Sequence, residues 1–146
     1  MELNLTHSVV NQWLERLAES GYRITAPRQA IVEILANSQK ALDPITIYDL
    51  GRREYPRLGL VTVYRTLEKL EELGLIQRIH QSSGCHMYLR ATQGHQHIII
   101  CNSCGRVDFF KGDDLSLLFA GVAQHTGFQI QDHWLQLFGV CSQCQQ

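Results

Sequence analysis

The sequence is short of several things, and each shortage closes off a class of function. Its 13 Lys and Arg are offset by 14 Asp and Glu, giving a net charge of −1 with His neutral. The global basic excess that marks many nucleic-acid binders is missing, so any contact with DNA must come from a local patch. No apolar run approaches the roughly 18 residues a membrane span needs, and no basic segment followed by an apolar one opens the chain. The expectation is a cytoplasmic protein with no membrane partner. There is no internal repeat and no low-complexity tract. Neither HExxH nor an HxE followed by CxxC in deaminase order occurs, which removes two common zinc-enzyme signatures.

What is present is a normal globular composition, 45% hydrophobic over 146 residues, enough for one ordinary domain or two small ones. Of five cysteines, four fall in two CxxC pairs, Cys101 with Cys104 and Cys141 with Cys144, 37 positions apart from Cys104 to Cys141. In a reducing compartment such spacing means metal ligation more often than disulfides. Each pair supplies two thiolates from a tight turn, and the four together make a closed tetrahedral structural zinc site. Just before the first pair, His95 and His97 precede an apolar run, Ile98 to Ile100, that reads as a buried strand. Period two puts both imidazoles on one strand face, where they can hold a second, sensing metal. Cys85 is left over.

The N-terminal half reads as helices. Val9, Val10, Trp13, Leu14, Leu17 and Ala18 recur at helical spacing before Gly21. Thr25 is an N-cap candidate with Pro27 in the first turn of a second helix ending near Asn37. Asp43-Pro44 opens a third that stops before Pro56. A fourth, roughly Val61 to Leu73, buries Val63, Leu67 and Leu70 and turns Thr62, Arg65 and Lys69 outward, with Tyr64 beside them. Gly74 ends it, and strands 75–80 and 85–90 flank the turn Ser82-Ser83-Gly84. Helices followed by a two-stranded ribbon make a winged helix-turn-helix, whose second turn helix enters the major groove while the wing lies on the backbone. Ten of the thirteen basic residues lie before Gly84, but ten acidic residues share that half. Glu68, Glu71 and Glu72 leave a solvated charged face as the alternative for helix four.

After Thr92-Gln93-Gly94 the character changes to strands and metal ligands. Val107 to Phe110 reads as extended. Asp113 can cap a helix with Leu115, Leu118, Phe119, Val122 and Ala123 inside, ending near Gly127. Phe128 to Val140 reads as a strand whose apolar parity switches, with a bulge or kink expected near Asp132-His133. The expected division is a winged-helix domain over 1–90, a hinge over 91–94 and a metal-binding dimerisation domain over 95–146, an α+β protein overall.

The order Arg23-Ile-Thr25-Ala-Pro27-Arg28, Val61-Thr-Val-Tyr64-Arg65-Thr66-Leu67, His95-x-His97 before CxxCG, and a final CxxC resembles the ferric uptake regulator superfamily of metal-dependent transcriptional regulators. The likeness spans nearly the whole chain and leans toward the zinc uptake regulator branch. It implies a homodimer with an N-terminal winged helix and a C-terminal α/β dimerisation domain, repressing metal-uptake genes when a regulatory metal is bound. Tyr64 and Arg65 match recognition-helix positions that contact a double-stranded operator, with Thr62 beside them. Arg23 and Arg28 match basic positions near the backbone or minor groove. Cys101, Cys104, Cys141 and Cys144 match structural zinc ligands, and His133 matches a ligand position of the dimerisation domain.

The chain departs from the pattern in ways that bear on the metal. Gln96 and Ile98 stand between and after the histidines, so one strand face has lost its imidazoles. Ala41 and Leu42 stand where iron-type members draw a His. Ser116 takes the place of a helical carboxylate, leaving Asp108, Asp113 or Asp114 as oxygen donors. Cys85, just after the wing turn, is similar to a thiolate of zinc-sensing members, and thiolate plus imidazole favours Zn2+ over Fe2+. The alternative is a buried core cysteine sharing parity with Met87 and Leu89. The expected regulatory set is Cys85, His95, His97 and His133, with His80 and His86 as weaker candidates and His7 and His125 as surface residues. An iron-responsive or peroxide-sensing regulator of the same superfamily is the nearest alternative. A zinc enzyme built on His95, His97 and His133 would need a general base and a cleft. A thiol-disulfide oxidoreductase would want a lone CxxC opening a helix.

Overall fold

The computed structural model describes residues 2–81, 83–91, 97–111, 115–133 and 135–146, with side chains from residue 7 onward. In chain order the elements are α1 Glu2–Glu19, α2 Ala26–Asn37, α3 Pro44–Glu54, α4 Leu60–Glu72, β1 Ile76–His80, β2 His86–Arg90, β3 His97–Cys101, β4 Val107–Phe110, α5 Ser116–Thr126 and β5 Gln136–Gly139. They form two compact units, Met1–Ala91 and Thr92–Gln146.

In the first unit the two helix stops read from glycine are built alike. Gly21 and Gly74 take left-handed φ of 81° and 70°. Each sits in a pair of closing bonds, Gly21 N to Ala18 O and Tyr22 N to Leu17 O at 3.0 and 3.1 Å, and Gly74 N to Glu71 O and Leu75 N to Leu70 O, both 2.9 Å. This is the Schellman arrangement, and only glycine enters it without a Cβ penalty. The apolar stripes of the helices meet in one core, with Trp13 and Leu17 of α1, Ile31 and Leu35 of α2, Ile47 of α3, and Val63, Leu67 and Leu70 of α4 all buried.

Two local expectations differ from the structure. Thr25 occupies the N-cap of α2, but its side chain makes no cap hydrogen bond, and the entry is set by Pro27 within the first turn. The hairpin of β1 and β2 also has a third member, because Leu42 and Tyr88 exchange backbone hydrogen bonds of 2.9 and 2.8 Å. One bridging residue is too short to show a period, so nothing in the sequence marks it.

In the second unit β3 is central, with β4 antiparallel on one side and β5 parallel on the other. The strand expected over Phe128–Val140 is confined to Gln136–Gly139. The parallel ladder with β3 pairs Ile98–Cys101 with Gln136–Gly139, and just ahead of it Leu135 O accepts from Ile98 N at 3.5 Å. The parity switch thus precedes the onset of pairing, and among the described residues no bulge is formed at Asp132-His133. Helix α5 stops at Gly127, φ 75°, as expected. Its inward face is not inward, however: no α5 residue is buried, and Leu118 and Val122 are 59% and 44% exposed. Three short strands cannot cover that stripe, and an apolar pattern alone does not tell a core from an interface. The proposed cap Asp113 lies outside the described residues.

The Asp43 cap of α3 is formed as read, accepting from Thr46 N at 2.9 Å and Thr46 Oγ1 at 2.7 Å. Burial alone would raise its carboxyl, but the bonds from Thr46 and from the Ile45 backbone outweigh it and hold the group below the usual aspartate value. Asp43→Ala should cost about 1 kcal/mol in denaturant unfolding. The loss should be full above the ordinary value of 3.8 and vanish as pH falls through the lower folded value. Equal stability of mutant and wild type at neutral pH would contradict it.

Candidate metal centre and nucleic-acid face

The parallel pairing of β3 and β5 positions the four cysteines. The register sets Cys101 opposite Gly139, so both chains leave the sheet at the same end and Cys141 arrives two residues later. Asn102 N donates to Gly139 O at 2.8 Å, locking the two exits together. The first CxxC turns back through Gly105, φ 75°, whose N–H donates to Cys101 O at 2.9 Å. The second closes with Cys144 N on Cys141 O, also 2.9 Å.

As a result the four sulfurs all lie within 4.8 Å of one another. Cys104 Sγ and Cys141 Sγ are 3.8 Å apart. Zn–S bonds of about 2.3 Å in a tetrahedron place sulfurs roughly 3.8 Å apart, so the donors fit a structural zinc with little movement. Backbone N–H groups of Cys141, Cys104 and Ser103 point at Cys101 and pull its thiol down to about 6, with the Cys141 N–H at 3.3 Å. The thiols of Cys141 and Cys104, with a smaller effect from desolvation, hold the proton on Cys144, pushed up to about 12. One thiolate is thus ready at neutral pH, and the last proton leaves only when a cation replaces it.

His97, at the head of β3, is 6% exposed. Its ring lies 5.4 Å from Phe110 and 5.5 Å from His133, and His133 lies 4.5 Å from Phe119. His97 and His133 are therefore brought together, while His95, Asp113 and Asp114 lie outside the described residues. Asp108 is exposed and paired with Arg106 at 3.1 Å. Cys85 is exposed, which removes the core-packing reading. It belongs to the first unit, as do His80 and His86, whose rings are 4.9 Å apart. His7 and His125 are exposed.

On α4, Val63, Thr66, Leu67 and Leu70 face the core, while Tyr64 is 48% exposed and Arg65 is exposed with no ion pair among the described residues. Thr62 is half-buried. Two glutamates that suggested a plain charged face are engaged, Glu71 with Arg78 at 2.8 Å and Glu72 with Lys69 at 3.3 Å. Sequence reasoning missed the contact that fixes the loop before α2 to this helix. Tyr22 Oη and Thr66 Oγ1 are 3.3 Å apart, and Thr66 Oγ1 donates to Thr62 O at 2.7 Å. Arg28 then stacks 4.3 Å over the Tyr22 ring and donates to Arg23 O at 2.6 Å. The available signal was a polar residue, Thr66, inside the apolar stripe of α4.

In metal-free protein, ultraviolet thiolate absorbance should show a first ionisation near pH 6, with Cys144 protonated to about pH 12. Cys101→Ser should remove the low step. A first ionisation at the ordinary thiol value would contradict the geometry.

Residues 19–138 match the sequence profile of the Ferric uptake regulator family. The ferric uptake regulation protein of Neisseria meningitidis is 32% identical over 133 residues, covering 90% of this chain and 92% of that protein. The peroxide operon regulator of Bacillus subtilis is 34% identical over 131 residues, covering 90% of each. The crystal structure of the Vibrio cholerae ferric uptake regulator superimposes with a TM-score of 0.67 at 28% identity, covering 87% of this chain and 98% of that one. Two independent likenesses, in sequence along nearly the whole length and in fold, agree: this chain belongs to the ferric uptake regulator family.

Proposed function

We propose that this chain is a homodimeric, metal-dependent repressor of metal-uptake genes that responds to zinc. The family is one of transcription regulators rather than enzymes, and the winged-helix unit carries the reading to DNA. The carrying observation is the outer side of α4, where Tyr64 and Arg65 stand exposed beside Thr62, while Glu71 and Glu72 further along are paired and Glu68 stays exposed. Short hydroxyl, phenol and guanidinium groups at the start of a helix suit base edges and phosphates of double-stranded DNA. Arg23, on the loop held by Tyr22, and Arg28, in the first turn of α2, flank them, where they would meet the backbone. The four-cysteine cluster is read as a structural zinc site.

The relatives are named for both ferric uptake and peroxide response, so the metal must be argued from the donors. Cys85 is an accessible thiol, and His97 and His133 are neighbouring imidazoles. With His95 they would make a sulfur and nitrogen set that favours zinc over ferrous iron. When bound, the metal supplies the differential affinity that shifts the population toward the DNA-binding arrangement. The two recognition helices would then sit at half-site spacing. Ligands within a single unit would stabilise it without switching.

The dimer follows from what the second unit leaves uncovered. Among the described residues, ten of the thirteen exposed large apolar side chains, from Ile99 to Val140, lie there. An apolar surface of that extent marks an association face. We propose a second copy of the chain as the cover.

Chelator-treated protein that keeps its structural zinc should regain operator binding on titration with buffered Zn(II). Cys85→Ala and His97→Ala should each abolish the response, and Arg65→Ala should weaken binding by about 1–3 kcal/mol. If only Fe(II), added anaerobically, restores binding, or Cys85→Ala responds normally, the assignment moves to an iron or peroxide sensor. In sedimentation, wild type should run as a dimer and Leu118→Glu with Val122→Glu as a monomer. A dimeric double variant would place the interface elsewhere.

A further inference from the structure

The wing hairpin carries a pair of histidines that neither the four-cysteine cluster nor the proposed sensing set uses. In the β1–β2 ladder His80 stands directly opposite His86. The backbone bonds Ala91 N to Leu75 O and Gln81 N to Cys85 O, 2.9 and 3.1 Å, bracket the ribbon and fix its phase. Hydrogen-bonded pairs fall at odd positions of β1, so His80 and His86 form a pair of the other kind, in which facing side chains come closest. Both imidazoles leave the same face of the ribbon, with ring centroids 4.9 Å apart and planes at 83°. His80 is exposed. His86 is half-buried, and its Nδ1 is shielded from solvent with no hydrogen-bond partner among the described residues. A buried ring nitrogen without a partner is costly, and a cation is one way to satisfy it.

We propose that His80 and His86 form a bidentate site for a late first-row divalent cation on the wing. The donor pair is two imidazoles with no carboxylate, which suits Cu2+, Ni2+ and Zn2+ and not Mg2+ or Ca2+. Water fills the remaining positions. The rings now meet edge to face, and turning one about χ2, a broad two-fold torsion, lets both lone pairs converge. The next pair on the same face is Arg78 and Tyr88, whose cation would oppose a metal. Arg78 is held 2.8 Å from Glu71, which offsets that charge. Cys85 adjoins His86, but strand alternation turns it to the opposite face, so this site does not need the thiol assigned above to zinc sensing. The inference goes beyond the DNA-binding reading and does not depend on it.

The test uses the full chain with its structural zinc retained and Ni(II) as the probe, counting bound nickel by equilibrium dialysis and following histidine ring signals by NMR. Wild type should bind one more Ni(II) per chain than His80→Gln or His86→Gln. Each single change should weaken that step by at least about tenfold, no less than the loss known for outer-sphere partners of metal ligands. The step should survive in Cys85→Ala and in His97→Ala, with the His80 and His86 rings the signals broadened first. Thermal melting checks the fold, and the exposed His80→Gln decides the matter if His86→Gln unfolds. Equal nickel uptake by wild type and His80→Gln would overturn the proposal. So would loss of the same step in Cys85→Ala or His97→Ala, since it would place the pair in one composite site with the sensing ligands.

Discussion

The second unit depends on the parallel ladder between β3 and β5. Parallel strands cannot be joined by a tight turn and need a crossover, here the path through β4 and α5. That path separates the two CxxC pairs in sequence, and the ladder reunites them in space. Slipping β5 by one residue along β3 would invert its side chains and carry Cys141 about 3.3 Å along the strand axis. The metal cluster thus tests the register, and the register orders the cluster. Each explains why the other can be formed from elements of only four and five residues.

Such mutual dependence is expected where the apolar core is thin. Among the described residues of the second unit only His97, Ile98, Ile100, Cys101 and Val107 are buried. The first unit, by contrast, buries residues from all four of its helices in one cluster. A unit of some fifty residues with so little interior is ordinarily held by a metal, a disulfide or a partner. Its cysteines are reduced and convergent, and its apolar faces are open. Metal and partner therefore serve stability as well as function, and a ligand that binds only the folded unit adds its binding free energy to folding.

Legibility in the sequence followed the same division. In the first unit helices long enough to show a 3.6 period were readable in place, as were the glycine stops at Gly21 and Gly74 and the Asp43 cap, because each is a local rule with a local cause. The Leu42 bridge and the Tyr22 to Thr66 contact were not, since they join positions 46 and 44 residues apart through single groups. In the second unit the cysteine spacing was legible because ligand chemistry restricts it tightly. The extent of β5 was not, because apolar residues from Phe128 onward look the same whether they pair with a strand or await a partner. The α5 stripe misleads for the same reason. Of the proposed sensing residues, the pairing of His97 with His133 depends on where the chain runs before β5, which no spacing rule supplies.

The near-zero net charge poses the last question, how a chain at −1 can present a face to a polyanion. The first unit answers by internal neutralisation. Glu71 and Glu72 spend their charge on Arg78 and Lys69. Arg16 reaches Leu73 O at 2.8 Å and supports the carbonyl end of α4, where a cation is favourable. Arg65 is left without an ion pair among the described residues. Its exposed charge is desolvated only when a phosphate or base edge takes up the guanidinium. On the proposed reading recognition draws on such local unpaired charge, while Lys69 and Arg78 are paired with glutamates and Arg16 and Arg28 bond backbone carbonyls. A global charge count averages these two populations, which is why it carried no signal for DNA.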